Sequence, residues 1–200
     1  RLWAGYASEK TVVRFGRQAL SWGNGLFYAP MDLVNPFNPA TVDTEYKAGD
    51  DMFYLQYLTD TGADFQGAHV FRRDPLDGDV HGDVATTALK YHGFAGAGEF
   101  DLLVAEHYGD SVIGIGASHP VGGAHWSADL VFTDTDLDNF LQLSTNLSYS
   151  WSGFGRNMSG VLEYHYNGFG VSGGDYGPLE LATEPDLVRK LIRGETFTLG

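Results

Sequence analysis

Phe140-Leu141-Gln142-Leu143-Ser144-Thr145-Asn146-Leu147-Ser148-Tyr149-Ser150-Trp151 alternates from end to end. Leu141, Leu143, Thr145, Leu147, Tyr149 and Trp151 fall on one side, and Gln142, Ser144, Asn146, Ser148 and Ser150 on the other. Period two over such a length is strand geometry, with one oily face and one wet face. Asn157–Asn167 repeats the pattern, with Met158, Leu162, Tyr164 and Tyr166 opposite Asn157, Ser159, Glu163, His165 and Asn167. In Ala124–Thr133, Trp126, Ala128, Leu130 and Phe132 oppose His125, Ser127, Asp129 and Thr133.

Weaker alternation marks Val12–Leu20, Met52–Leu58, Phe65–Arg72, Ala85–Phe94, Glu99–Tyr108 and Val112–Ser118. With a fragment at each end, the rule predicts about eleven strands. Arg1 and Thr196–Gly200 both read as strand interiors, so residues 1–200 are expected to be a single β domain, incomplete at both ends.

Composition agrees with an all-β chain. Hydrophobic residues make up 43% and aromatics 14%, so a core can form; 27 Gly against 7 Pro suits strands joined by tight turns. Twelve basic and 26 acidic residues give a formal charge of −14, which argues against nucleic acid as a partner. The absence of Cys removes disulfides, thiolate metal sites and thiol nucleophiles. No apolar run approaches the ~18 residues of a spanning helix, a test that β-strands escape.

The connections fall into two sets. Ser8–Lys10, Thr59–Asp64, Ala95–Gly98, His119–Gly123 and Ser152–Arg156 are short. Between them lie Ser21–Asp50, Arg73–Val84, Gly109–Asp110, Asp134–Asn139 and Gly168–Glu195, and every long connection is in this set. Short turns at one rim and long loops at the other are the habit of an up-and-down membrane barrel. Aromatics sit near both ends of the strands: Tyr57, Phe65, Phe94, Phe100, Trp126 and Trp151 by the short turns, and Phe53, Phe71, Tyr108, Phe132, Tyr166 and Phe169 by the long ones. Two bilayer interfaces select such belts, although aromatics are strand formers in any case. One helix is predicted in the last loop, capped by Thr183, with Leu187, Val188, Leu191 and Ile192 as its apolar stripe and Gly194 as its stop.

The stretch Gly16-Arg17-Gln18-Ala19-Leu20-Ser21-Trp22-Gly23-Asn24-Gly25, followed by Pro30-Met31-Asp32 and Asn35-Pro36-Phe37-Asn38-Pro39, resembles porin-like outer-membrane β-barrels of proteobacteria. Arg193–Gly200 looks like a strand entry from the same group. The resemblance implies an antiparallel, up-and-down transmembrane β-barrel longer than this chain, placed in the bacterial outer membrane. Its implied partners are outer-membrane lipid and small hydrophilic solutes, with room for a homo-oligomer; it supplies no catalytic residues.

Parity along the strands makes Arg14, Gln18, Tyr54, Gln56, Lys90, His92, Asp129, Gln142, Ser144, Asn146, Glu163 and His165 the candidates for a polar, pore-lining face. The long connection after Gln18 carries Leu26, Phe27, Tyr28, Leu33, Val34 and Phe37, so it should be ordered. Folded inward it would be a constriction, with Arg17, Trp22, Asp32, Asn35 and Asp43 as its candidates. Arg14 and Arg17 would then face carboxylates such as Asp32 or Asp43. A packed outer loop that merely caps the wall satisfies the same composition.

No catalytic motif emerges. Ile115-Gly116-Ala117-Ser118-His119 is not a Gly-x-Ser-x-Gly elbow, so an esterase or phospholipase has no placed nucleophile. The aspartates at 74, 77, 79 and 83, and at 134, 136 and 138, could bind Ca²⁺ but lack EF-hand spacing and read better as solvated turn residues. The histidines His107, His119, His125 and His165 form no zinc pair. No metal or cofactor is expected. The functional expectation is passive diffusion of small hydrophilic solutes, without catalysis. The alternatives are a plugged barrel with a binding or structural role, and a soluble, secreted all-β binding domain.

Overall fold

The computed structural model describes residues 2–34, 47, 49–75 and 77–169. The helix predicted over Thr183–Arg193 and the strand predicted at Thr196–Gly200 lie outside the described residues, as do Asn35 and Asp43.

Ten strands form one antiparallel sheet: β1 (Leu2–Ala7), β2 (Thr11–Gln18), β3 (Asp50–Leu58), β4 (Asp64–Phe71), β5 (Thr86–Ala95), β6 (Gly98–His107), β7 (Asp110–Val121), β8 (Ala124–Asp134), β9 (Asn139–Gly153) and β10 (Arg156–Asn167). Each strand pairs with its sequence neighbours, in the order β1 through β10. The turns set the register. Tyr108-Gly109 and Gly122-Gly123 all have positive φ, the two-residue hairpin turn whose twist matches that of the strands it joins. Tyr108 takes this conformation without being glycine; its ring packs edge-on against His107 and lies under the Arg72 guanidinium.

The expected closed barrel is not formed. β1 pairs only with β2 and β10 only with β9, so among the described residues the sheet is open and encloses no lumen. Strand edges cannot stay unpaired in hydrocarbon, where no water satisfies their N–H and C=O groups. With closure go the transmembrane assignment, the lipid partner, the outer-membrane location and the channel for hydrophilic solutes. Among the described residues no helix is long and apolar enough to cross a membrane. The segregated loop lengths have a plainer cause. Short turns at one end join strands directly, while the connection after β2 leaves the rim and crosses a face of the sheet.

That crossing segment, Leu20–Val34, is called the strap below. Trp22 and Met31 are buried against Tyr54, Ala68, Ala88, Leu103, Val112 and Val131, so the core lies between strap and sheet. The sheet face makes room by being small. A Cβ on Gly116 would come within 2.7 Å of the Asn24 amide nitrogen, and one on Gly114 within 3.3 Å of Met31 Cγ. Glycine in a strand interior weakens the strand, and here it admits a crossing chain.

The strap also shows the sheet's curvature. Trp22 contacts β4, Asn24 contacts β6 and β8, and Leu26–Tyr28 contact β10. Strands β4 to β10 laid flat would span about 29 Å. Four extended residues reach about 14 Å, and side chains rise nearly perpendicular to a sheet. The sheet therefore bends around the strap, which forms a chord across its concave face.

The opposite, convex face carries Leu55, Leu89, Val104, Ile113, Ile115 and Leu130, each 40–56% exposed in the single chain. Alternation thus sorts the strands into an apolar convex face and a mixed concave one.

Candidate functional site: a polar belt beneath the strap

Register builds the site. His92 stands opposite Asp64, and Asp101 opposite His92; then come Gly116, Asp129, Ser144 and His165, each directly across from the one before. Directly opposite residues share a face, so these side chains form one transverse belt from β4 to β10. The strap lies along it.

At the β4–β6 end the belt is a charge cluster. Asp101 Oδ1 lies 3.0 Å from Lys90 Nζ and 2.9 Å from His92 Nδ1. Gln66 donates from Nε2 to Asp64 at 2.8 Å, and its Oε1 accepts from the Trp22 indole at 2.7 Å and the Tyr54 hydroxyl at 3.0 Å. Burial, with the Asp64 charge adding to it, pushes the Tyr54 phenol up to about 12, so it stays a donor. Arg14 opposes that rise and lies over the Trp3 and Tyr54 rings.

At the centre, over Gly116, Asn24 is held on every side. Its backbone N–H donates to Asp129 Oδ2 at 2.6 Å and its amide to Oδ1 at 2.8 Å. Its carbonyl accepts from Asn146 Nδ2 at 2.9 Å and lies 3.0 Å from Ser127 Oγ. Burial raises the Asp129 pKa; the Asn24 and Gly25 amides pull it part of the way back, and Asp101 adds to the rise.

At the far end Glu163 clasps the strap's tip. Its carboxylate accepts the N–H groups of Leu26 at 2.7 Å, Phe27 at 3.1 Å and Tyr28 at 2.8 Å. Tyr28 stacks on His165, with ring centroids 4.3 Å apart and planes within 5°. Both His165 ring nitrogens and Ser144 Oγ are shielded from solvent and lack a hydrogen-bond partner. Desolvation lowers the His165 pKa, against the pull of the Glu163 charge and of the Leu143 carbonyl, which falls short of hydrogen-bond geometry.

The near end is tied differently. Lys47 Nζ reaches Asp32 at 2.6 and 2.7 Å and Ser21 Oγ at 2.9 Å, with both ionic side chains 6% exposed. Burial raises the Asp32 carboxyl to about 6, partly offset by Lys47, and the same burial lowers Lys47.

Every residue expected on the polar face lies on the concave side by register: Arg14, Gln18, Tyr54, Gln56, Lys90, His92, Asp129, Gln142, Ser144, Asn146, Glu163 and His165. They line no lumen, because the sheet does not close. Of the constriction candidates, Trp22 and Asp32 are in the strap. Arg17 is on the other face, paired with Asp51 at 2.9 Å. Arg17 thus turns away from Asp32, whose partner is Lys47, and Arg14 lies over the Trp3 and Tyr54 rings; Asp43, the other expected carboxylate, lies outside the described residues. Parity missed Asn24, Asp101, Gln66 and Lys47. The signal for Asn24 was the Gly114-x-Gly116 pair, which marks a close approach of chain to strand.

Asp129, Ser144 and His165 stand in one row, yet they do not form a nucleophilic triad. The base must lie between nucleophile and acid; here Ser144 occupies the middle, Asp129 is bonded to Asn24 and His165 is stacked on Tyr28. Among the described residues no three His, Asp or Glu side chains converge as a metal site.

No family model, curated protein or solved structure matches the chain. The likeness of Gly16–Pro39 to porin-like barrels thus assigns no family, and the open sheet contradicts the fold it implied.

Proposed function

We propose that the chain is a non-catalytic binding protein whose concave face recognises extended peptide and is held occupied by its own strap. The observation that carries this reading is the chemistry of the wall. Asp129 and Glu163 take backbone N–H groups from residues 24 to 28, and Asn146 donates to the Asn24 carbonyl. Main-chain bonds supply affinity for an extended peptide, and pockets for side chains supply selectivity. Trp22 against Gln66 and Met31 over Gly114 fill such pockets in cis.

A labelled peptide copying Ser21–Asp32 tests this by fluorescence anisotropy. It should bind the Asn24→Ala/Tyr28→Ala double variant, whose strap is weakened while Asp129, Asn146 and Glu163 of the wall are intact, and not the occupied wild type. Absence of binding to both proteins, with the variant's strap shown by hydrogen exchange to be lifted, defeats the recognition reading. A structural role would then stand, favoured by a separate observation: Trp22 and Met31 complete the hydrophobic core, so the strap serves as the sheet's second layer.

A further inference from the structure

The two ends of the strap are held by different chemistry, and only the tip is fastened through a histidine ring. On β10, Glu163 and His165 are two residues apart on the concave face. Glu163 is engaged with three amides of the tip, and His165 carries the Tyr28 ring. Ser144 and Gln142 face His165 from β9, Asn167 follows it on β10, and Asp129 lies one strand further along the belt. None of these supplies an acceptor to either imidazole nitrogen. Glu163 is the nearest carboxylate on its own strand.

We propose that Leu26–Tyr28 is an acid-released latch: protonating His165 breaks the Tyr28 stack and draws Glu163 away from the three amides, freeing the tip while Asn24 stays bound. An imidazolium presents two N–H donors and must find acceptors, and a buried charge without them is costly. Neither the Leu143 carbonyl nor Ser144 Oγ stands in hydrogen-bond geometry with the ring, so it turns out to water, which ends the stack, or recruits Glu163, which unclasps the amides. Either route opens the tip. Desolvation of the ring, which already disfavours its charged form, acts in the same direction. The central grip responds otherwise: Asp129 is pushed toward its neutral form by burial, so acid does not evict it. Release from the tip inward would uncover Glu163, His165 and Ser144 first. The consequence for binding rests on the peptide-recognition reading; the latch itself does not.

The test is amide hydrogen exchange of the full chain by NMR between pH 7.5 and 5.0, corrected for the intrinsic pH dependence of exchange. Protection at Leu26, Phe27 and Tyr28 should fall at least tenfold, with a midpoint that coincides with the titration of the His165 ring resonance, while Asn24 holds. His165→Phe, which keeps a stacking ring and cannot titrate, should abolish the fall. Unchanged protection in the wild type, an equal fall in His165→Phe, or a midpoint away from the His165 titration overturns the latch. The resonance comparison needs no variant, so a poorly folded His165→Phe does not shelter the proposal. Peptide binding is measured separately, so a latch that opens without gain of binding counts only against the recognition reading.

Discussion

The near and far ends of the strap are fastened by opposite strategies. Near its base, Asp32 and Lys47 are a buried ion pair, each 6% exposed, with Leu20 and Ser21 completing the ammonium's hydrogen bonds. At its tip, Leu26 and Phe27 are exposed and their amides rest on one carboxylate. Breaking a buried pair leaves a stranded charge, whereas breaking an exposed clasp lets water take over. The base is therefore expected to be costly to lose and indifferent to solvent. The tip should be cheap to open.

The largest expected effect comes from stranding one ion. Lys47→Met should cost about 3–5 kcal/mol, because Asp32 is left buried without its cation. Urea unfolding measures it. Asp32→Leu/Lys47→Met should restore most of the loss, since a well-packed apolar pair replaces buried ions with little penalty. A single variant as stable as wild type would mean that the base is not the strong end.

Next comes pH, where the two ends have opposite signs. The Asp32 pKa is raised from 3.8 to about 6. A raised folded-state value contributes stability that is fully present below 3.8 and is lost as pH rises through about 6. His165 is lowered from 6.5, so its contribution is present above 6.5 and is lost as pH falls through its folded value. Between pH 7 and pH 4 the unfolding midpoint of wild type should rise relative to that of Asp32→Asn. The same comparison with His165→Phe should run the other way. Differences that do not change with pH would remove the contrast.

Much of this arrangement was legible in the alternation of Leu141 through Trp151 and its relatives, because side-chain period alone assigns a face. Ser144, Glu163, Asp129 and Lys90 could be placed on the concave side from parity without any knowledge of partners. Closure could not be read, since it depends on whether β1 and β10 meet, and no local pattern encodes that contact. Loop lengths misled for a similar reason. A long connection after Gln18 is as well explained by a strap crossing the sheet as by an outer loop, and only Gly114 and Gly116 hinted at which. The Asp32–Lys47 pair was hidden by separation along the chain: the partners stand fifteen positions apart, and no local pattern links them.

Asn24 stands between the two ends and should behave so. Asn24→Ala deletes the amide that reaches Asp129 and Asp101 and leaves Asp129 buried with one fewer donor. A loss of about 2 kcal/mol is expected from an unsatisfied buried acceptor. Gly116→Val tests the same contact from the sheet side. Its first added carbon alone would lie 2.7 Å from the Asn24 nitrogen and 2.9 Å from Asp129 Oδ1, so it should cost about 1–3 kcal/mol by overpacking. Retention of full stability by both variants would show that the centre of the belt does not grip the strap.

The smallest global effect, and the most local one, is expected at Glu163. Glu163→Gln keeps the shape of the side chain but offers one neutral carbonyl where three amides shared a charged pair of oxygens. Charge-assisted bonds are roughly twice as strong as neutral ones, yet water can replace them at an exposed tip. Unfolding free energy should therefore change by no more than about 1 kcal/mol. Exchange at Leu26–Tyr28 should rise about fivefold, the equivalent of that free energy, with Asn24 unaffected. A change that spreads to Asn24 would mean that the strap lifts as one body. The distinction between a fixed base and a releasable tip would then fail, and the acid latch with it.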